Sequence, residues 1–138
     1  MSLPGAAPRV LAVVSDDIGA RLRAILPGCE MRFVRTGREL VQALDEARCD
    51  LMIVEVHYDD SAAVAVLGCV LAREETFPVV CVRDVPAGIL RHAVLDGLRT
   101  ALGRMRADDF IDLLAYPDDE SGNACVRALL GRLLPARA

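Results

Sequence analysis

Short apolar segments alternate with amphipathic ones along most of the chain, and this alternation constrains the fold more than any other feature. Each apolar segment is bounded by charged or turn-forming residues, as strands buried on both faces usually are. We predict strands at residues 9–14, 31–35, 50–56, 78–82 and 109–114. Strands that alternate with helices form a parallel sheet with right-handed crossovers. Functional sites in such sheets lie at the carboxyl ends of the strands.

The amphipathic segments between these strands predict the helices. The first has apolar residues at helical spacing from Ile18 and ends at the Pro27-Gly28 break. The second begins with Thr36 and Glu39, which have the spacing of a capping box. Its buried stripe is predicted to comprise Leu40, Val41, Leu44 and Ala47. Further helices are predicted over residues 61–73, 87–105 and 118–134.

Length and charge limit the classes of protein to which the chain can belong. A chain of 138 residues forms one domain of ordinary size, and we assign residues 1–8 to a flexible arm and 9–138 to the domain. The net charge of −4 gives no basic field, so direct binding to nucleic acid is not expected. The longest uncharged segment, residues 61–72, is much shorter than the roughly twenty residues that cross a bilayer, so no membrane span is predicted.

The N-terminus and the cysteines favour a cytoplasmic protein. The first eight residues contain no basic region followed by a long apolar one, so they do not form a secretory signal. The five cysteines are widely spaced, which excludes the close pairs of zinc and redox motifs. We therefore expect most of them to be reduced residues of the core.

Charged and polar residues follow three of the predicted strands. They are Ser15, Asp16 and Asp17, then Glu55 and His57, then Arg83 and Asp84. The strand segments themselves read VLAVVSDD, CDLMIVEV, FPVVCV and RADDFIDLL. In this order they resemble the receiver domain of response regulators in two-component signalling, over residues 9–134. The resemblance implies an α/β, flavodoxin-like fold: a five-stranded parallel sheet of order 2-1-3-4-5 with helices on both faces.

The resemblance also assigns roles to residues at the strand ends. In the family, an acidic pair after the first strand and a carbonyl after the third bind Mg²⁺, and an aspartate ending the third strand accepts the phosphoryl group. Here the pair becomes Ser15 and Asp16, with Asp17 as an additional carboxylate, and the acceptor becomes Glu55. The implied metal ligands are thus Asp16, Asp17, Glu55 and the carbonyl of His57.

Other family positions have lost their chemistry. The switch hydroxyl falls on Arg83 and the lysine near Leu113, and no alignment can restore that lysine because all sixteen basic residues are arginine. Glu55 extends the acceptor by one methylene, and a misplacement of about 1 Å can cost about a hundredfold in rate. Efficient phosphotransfer is therefore not expected. We hypothesise that Glu55 instead forms a permanent ion pair with Arg83; the alternative is that Arg83 is a solvated surface cation.

These interpretations predict an atypical receiver-like module that is not an enzyme and needs no cofactor. It would act by phosphorylation-independent binding to a signalling protein, such as a histidine kinase or an effector. Residues 61–73 are apolar nearly all round, which favours a homodimer. One alternative is a divergent, phosphorylatable receiver that binds Mg²⁺. Another is a small flavodoxin-like enzyme or nucleotide binder, although the turn after the first strand has no glycine-rich phosphate loop.

Overall fold

The structure, a computed structural model, describes residues 7–55, 77–83 and 110–134, and at Arg83 and Phe110 it describes the main chain. Within these residues, five parallel strands form one sheet of order β2-β1-β3-β4-β5. The strands are β1 (Arg9–Val13), β2 (Glu30–Phe33), β3 (Leu51–Glu55), β4 (Val79–Arg83) and β5 (Phe110–Asp112). The sheet confirms the predicted strand order of 2-1-3-4-5.

Three α-helices lie in the described residues: α1 (Asp16–Ile25), α2 (Gly37–Glu46) and α3 (Glu120–Gly131). A short 3₁₀ helix (Leu113–Ala115) follows β5. The helices predicted over residues 61–73 and 87–105 fall outside the described residues. No helix in the described part of the chain is both long and apolar enough to cross a membrane.

Side chains cap α2 and α3 at their first turns. The hydroxyl of Thr36 accepts a hydrogen bond from the Glu39 amide at 3.1 Å, as the sequence predicts. The Glu39 carboxylate reaches back to the amide of Arg35 at 3.0 Å. Asp119 caps α3 by accepting from the Gly122 amide at 2.8 Å. The contacts to Thr36 and Asp119 satisfy first-turn amides that have no partner within their helices, and the contact to Arg35 fixes the residue before the cap of α2.

Buried side chains on the two faces of the sheet form two separate cores. On one face the strands pack against α1 and α3, with Leu22, Ile25, Val126 and Leu130 fully buried. On the other face they pack against α2 through Leu40 and Ala43. Helices therefore cover both faces, as predicted. All five residues of β3 are buried, as expected of the central strand.

One local prediction is wrong and another is confirmed in part. The predicted fifth strand includes Leu113 and Leu114, but both belong to the 3₁₀ helix, because the Asp112 carboxylate accepts from the Leu114 amide at 3.1 Å and turns the chain. On α2, Leu40 is buried and Leu44 packs against the core as predicted, whereas Val41 is half-buried and Ala43, which was not predicted, is buried.

Candidate functional site

Glu55, which the resemblance assigns to the position of the phosphoacceptor, ends β3 and is 5% exposed. Side chains alternate between the two faces of a strand, so Glu55 shares a face with Leu51 and Ile53. Those two residues belong to the core between the sheet and α1. The alternation therefore directs the Glu55 carboxylate toward the layer of helices that contains α1.

The carboxylate of Glu55 accepts a hydrogen bond from a main-chain amide at the start of α1. The donor is the amide of Ser15, which lies 2.6 Å from Glu55 Oε1. Ser15 is the N-cap residue of α1, and within the described residues its own side chain forms no capping hydrogen bond. Helix N-termini carry a partial positive charge that favours a carboxylate. A hydrogen bond to a charged group of this kind contributes about 1.5–3 kcal/mol to stability.

Asp16 and Asp17 lie in the first turn of α1 and are exposed. The Asp16 carboxylate pairs with Arg35, whose Nη2 donates to Asp16 Oδ1 at 2.6 Å. The side chain of Asp16 is 85% exposed, so this ion pair lies in water and contributes little to stability. Its effect is positional, because it directs the Asp16 carboxylate toward the loop between β2 and α2.

The predicted magnesium ligands are not assembled among the residues that the structure describes. Asp16 is paired with Arg35, Glu55 accepts from Ser15, and His57 lies outside the described residues. No group of three or more histidine, cysteine, aspartate or glutamate side chains in the described ranges is arranged to bind a metal ion. Asp17, the remaining predicted ligand, is exposed in the first turn of α1. The magnesium site remains a prediction.

The two positions that the resemblance relates to the switch lie at the end of β4 and directly after β5, its neighbour in the sheet. The main chain of Arg83 ends β4, where it is in register with Asp112, and Glu55 is in register with Val82. The side chain of Arg83 lies outside the description, so its ion pair with Glu55 stays a prediction. Leu113 begins the 3₁₀ helix and is 1% exposed within the core beside α3. The resemblance puts the family's lysine near this position, where the chain has a buried apolar side chain.

Arg21 of α1 is a residue of this region that the sequence interpretation missed. Its side chain is 7% exposed, and its guanidinium donates to main-chain carbonyls of the segment after β5. The sequence contained a signal for it, because Arg21 lies three residues after Ile18 and four before Ile25, on the buried stripe of α1. An arginine on such a stripe must satisfy its donors inside the protein.

Other charged groups near the sheet pair with one another. On the surface between α1 and β2, the guanidinium of Arg23 lies 4.7 Å from the centroid of the Phe33 ring, a cation–π contact. Near the amino ends of the strands, Arg32 donates to Glu46 at 2.6 Å. Hydrogen bonds from Arg32 and Gln42 hold the pKa of Glu46 below its ordinary value of 4.5.

Comparison with known proteins places this geometry among signalling domains. No protein-family model matches the sequence, and no curated protein is similar enough to count as a relative. Among solved structures, the chain is similar to the chemotaxis protein CheY4 of Vibrio cholerae, with 18% identity, a TM-score of 0.66, and coverage of 94% of this chain and 100% of that one. A response regulator from Thermotoga maritima gives 13% identity and a TM-score of 0.67, with coverage of 93% and 98%.

A third similar structure is the signal receiver domain of a histidine kinase from Syntrophus aciditrophicus. It is 26% identical, with a TM-score of 0.64, and the match covers 93% of this chain and 90% of that domain. The three structures are all receiver domains or response regulators, and each matches nearly the whole chain. With the sheet order established above, the fold of this chain is therefore the flavodoxin-like fold of response-regulator receiver domains.

Proposed function

We propose that this chain is a receiver-like signalling module that acts through protein–protein interaction without phosphorylation, and that it is not an enzyme. One observation carries the proposal: the buried carboxylate of Glu55 accepts the Ser15 amide at 2.6 Å. A phosphoacceptor must present a carboxylate oxygen in line with the phosphoryl donor. In this chain an oxygen of that carboxylate is used to fix the first turn of α1. Glu55 thereby holds a carboxylate in a fixed structural contact at the place where a receiver is phosphorylated.

The surroundings of Glu55 support the same conclusion. Phosphoryl transfer requires cations that neutralise the charge developing on the transferred oxygens. The chain contains no lysine, and Leu113 lies buried where the family has one. Asp16, one of the implied metal ligands, is paired with Arg35 at the surface. The absence of lysine, with an apolar residue near its position, is therefore the main support from these surroundings.

The partner in this proposal is another signalling protein, a histidine kinase or an effector. The similar domain from Syntrophus aciditrophicus belongs to a histidine kinase. A homodimer is also part of the proposal, because the sequence of residues 61–73 predicts a helix that is apolar nearly all round, with more apolar surface than packing on the sheet would need. Twofold dimers are the commonest soluble oligomers. Sedimentation over a range of concentrations should show a dimer, and a monomer throughout would contradict this element.

Phosphorylation can be tested directly with a small phosphodonor. The protein and Glu55→Gln are each incubated with acetyl phosphate and Mg²⁺, and their intact masses are measured at intervals. We expect no phosphoryl adduct that depends on Glu55. A mass increase of one phosphoryl group in the wild type that is absent from Glu55→Gln would refute the proposal and favour a divergent, phosphorylatable receiver.

A further inference from the structure

Hydrogen bonds tie α1 to two parts of the protein that are far apart in sequence. At its start, the Ser15 amide donates to Glu55 at the end of β3. Further along the helix, Arg21 reaches the segment after β5, which we call the β5–α3 turn and define as residues 113–119. Arg21 lies six positions after Ser15, a rise of about 9 Å along the helix axis.

The guanidinium of Arg21 holds the β5–α3 turn through several acceptors at once. Its Nη1 donates to the Leu113 carbonyl at 3.3 Å, and its Nη2 to the carbonyls of Tyr116 at 2.7 Å and Pro117 at 3.0 Å. Its Nε donates to Asn123 Oδ1 on α3 at 3.1 Å. Because a guanidinium is planar and its donors are fixed in direction, these bonds specify the position of the turn relative to α1.

A second arginine joins the same two helices in the opposite direction. Arg127 of α3 donates from Nε to the Ile25 carbonyl at 2.5 Å and from Nη2 to the Ala24 carbonyl at 3.3 Å. These carbonyls belong to the last turn of α1, where acceptors lack partners within the helix. Side chains from both helices thus fix α1 and α3 to each other.

The β5–α3 turn is also confined from the side of α3. A Cβ atom on Gly122 would lie 1.9 Å from the Pro117 carbonyl oxygen, so the main chain of the turn packs directly against the first turn of α3. The turn is therefore held between Arg21 on one side and the main chain of α3 on the other. A displacement of α1 must break the bonds of Arg21 or move the turn with it.

We propose that α1 couples Glu55 to the β5–α3 turn, with Arg21 as the residue that transmits the coupling. Loss of the Glu55–Ser15 hydrogen bond loosens the start of α1, and the bonds of Arg21 convey that change to residues 113–119. The coupling follows from contiguous hydrogen bonds and one helix and does not require phosphorylation. It makes the turn beside α3 responsive to the state of the carboxylate at the end of β3.

Amide hydrogen exchange measured by NMR tests this coupling. The reporters are the amides of Tyr116 and Asp119, which donate within the turn to Leu113 and Pro117 at 3.1 and 2.9 Å. Their rates are divided by that of the Leu40 amide on α2, which removes the effect of global unfolding. The perturbation is Glu55→Asp, which shortens the side chain and withdraws it from Ser15.

The substitution is made in three backgrounds: wild type, Arg21→Gln and, as a matched control, Arg38→Gln on the exposed face of α2. In the wild type and in Arg38→Gln, Glu55→Asp should raise the relative exchange rates in the turn by about fivefold or more. In Arg21→Gln the substitution at Glu55 should produce no additional change. If Arg21→Gln fails to fold, Asn123→Ala removes one acceptor of Arg21 and should reduce the effect of Glu55→Asp.

The coupling is refuted if Glu55→Asp leaves the relative rates unchanged in the wild type, or raises them equally with and without Arg21. No phosphodonor is used in this experiment, so its outcome is separate from that of the proposed function. A phosphoryl adduct that depends on Glu55 would refute the proposed function and leave the coupling intact. If no phosphoryl adduct forms and Glu55→Asp does not change exchange in the turn through Arg21, the coupling is refuted and the proposed function is left intact.

Discussion

Replacement of Glu55 by aspartate restores the residue type of a receiver phosphoacceptor and should nevertheless destabilise this protein. Aspartate is shorter by one carbon–carbon bond of about 1.5 Å, which would lengthen the contact with the Ser15 amide to about 4 Å. That distance is too great for a hydrogen bond. The variant therefore keeps the buried charge but loses the Ser15 amide as a donor to it.

The structure gives the expected size and order of the effects. A hydrogen bond to a charged acceptor is worth about 1.5–3 kcal/mol, so Glu55→Asp should lower the free energy of unfolding by about 2 kcal/mol. Glu55→Gln keeps the length and an accepting oxygen, and exchanges a charged acceptor for a neutral one, at a cost of about 1 kcal/mol. The order of stability should be wild type, then Glu55→Gln, then Glu55→Asp.

Urea unfolding followed by circular dichroism measures this order. With a urea dependence of about 2 kcal/mol per molar, Glu55→Asp should shift the midpoint by about 1 M. Glu120→Asp is a matched control, because it makes the same change at a carboxylate that is 91% exposed, and its effect should stay within about 0.5 kcal/mol. If Glu55→Asp is as stable as Glu55→Gln or more stable, the stability of the site does not depend on the length of the side chain. That result would refute the stabilising role of the Glu55–Ser15 hydrogen bond.

Three further substitutions test the fold around the site, each by its unfolding midpoint. Gly122→Ala places a Cβ atom 1.9 Å from the Pro117 carbonyl oxygen and should lower the free energy of unfolding by about 1–3 kcal/mol. Gly131→Ala is its control, because no atom lies within 4 Å of the added Cβ atom, and it should not destabilise the protein. Equal effects of the two substitutions would contradict the packing of the β5–α3 turn. Thr36→Ala removes the side-chain cap of α2 and should cost about 1 kcal/mol, with Thr36→Ser close to wild type. Because Arg32 lowers the folded-state pKa of Glu46 below 4.5, the stabilisation by Glu46 is complete at neutral pH and is lost as the pH falls through that lowered pKa. Glu46→Gln should therefore be less stable than wild type at neutral pH and approach it in acid; a constant difference would exclude this ion pair as the cause.

The sheet and most of the described elements could be predicted from the sequence because their signals are local. Buried strands appear as short apolar runs, and the Thr36 cap appears as a pair of residues with fixed spacing. The end of the fifth strand could not be placed, because Leu113 and Leu114 extend its apolar run while the turn depends on a hydrogen bond from the Asp112 side chain. A short polar side chain that forms a hydrogen bond with the nearby main chain competes with strand structure. The pattern of apolar residues does not indicate such a hydrogen bond.

The candidate site was predictable in position but not in its contacts. The sequence identified Glu55 as the carboxylate at the end of the central strand, and the fold places it there. The predicted ion pair involves the side chain of Arg83, which lies outside the described residues, and the structure adds a main-chain donor to Glu55, the Ser15 amide. Every residue other than proline has such an amide, so residue identity cannot reveal a main-chain donor. Arg21 was missed for a related reason: its importance lies in carbonyls that are distant in sequence.

The central claim is that Glu55 is a constant structural carboxylate and not a phosphoacceptor. The most direct test is an NMR titration with Mg²⁺ and then beryllofluoride, a mimic of the phosphoryl group, following the amide of Ser15. If Glu55 has this structural role, the chemical shifts of the Ser15 amide and of the neighbouring residues should remain unchanged through both additions. A saturable, Mg²⁺-dependent shift on addition of beryllofluoride, spreading from Ser15 to the amides of α3, would show that the site accepts a phosphoryl group and would contradict the account.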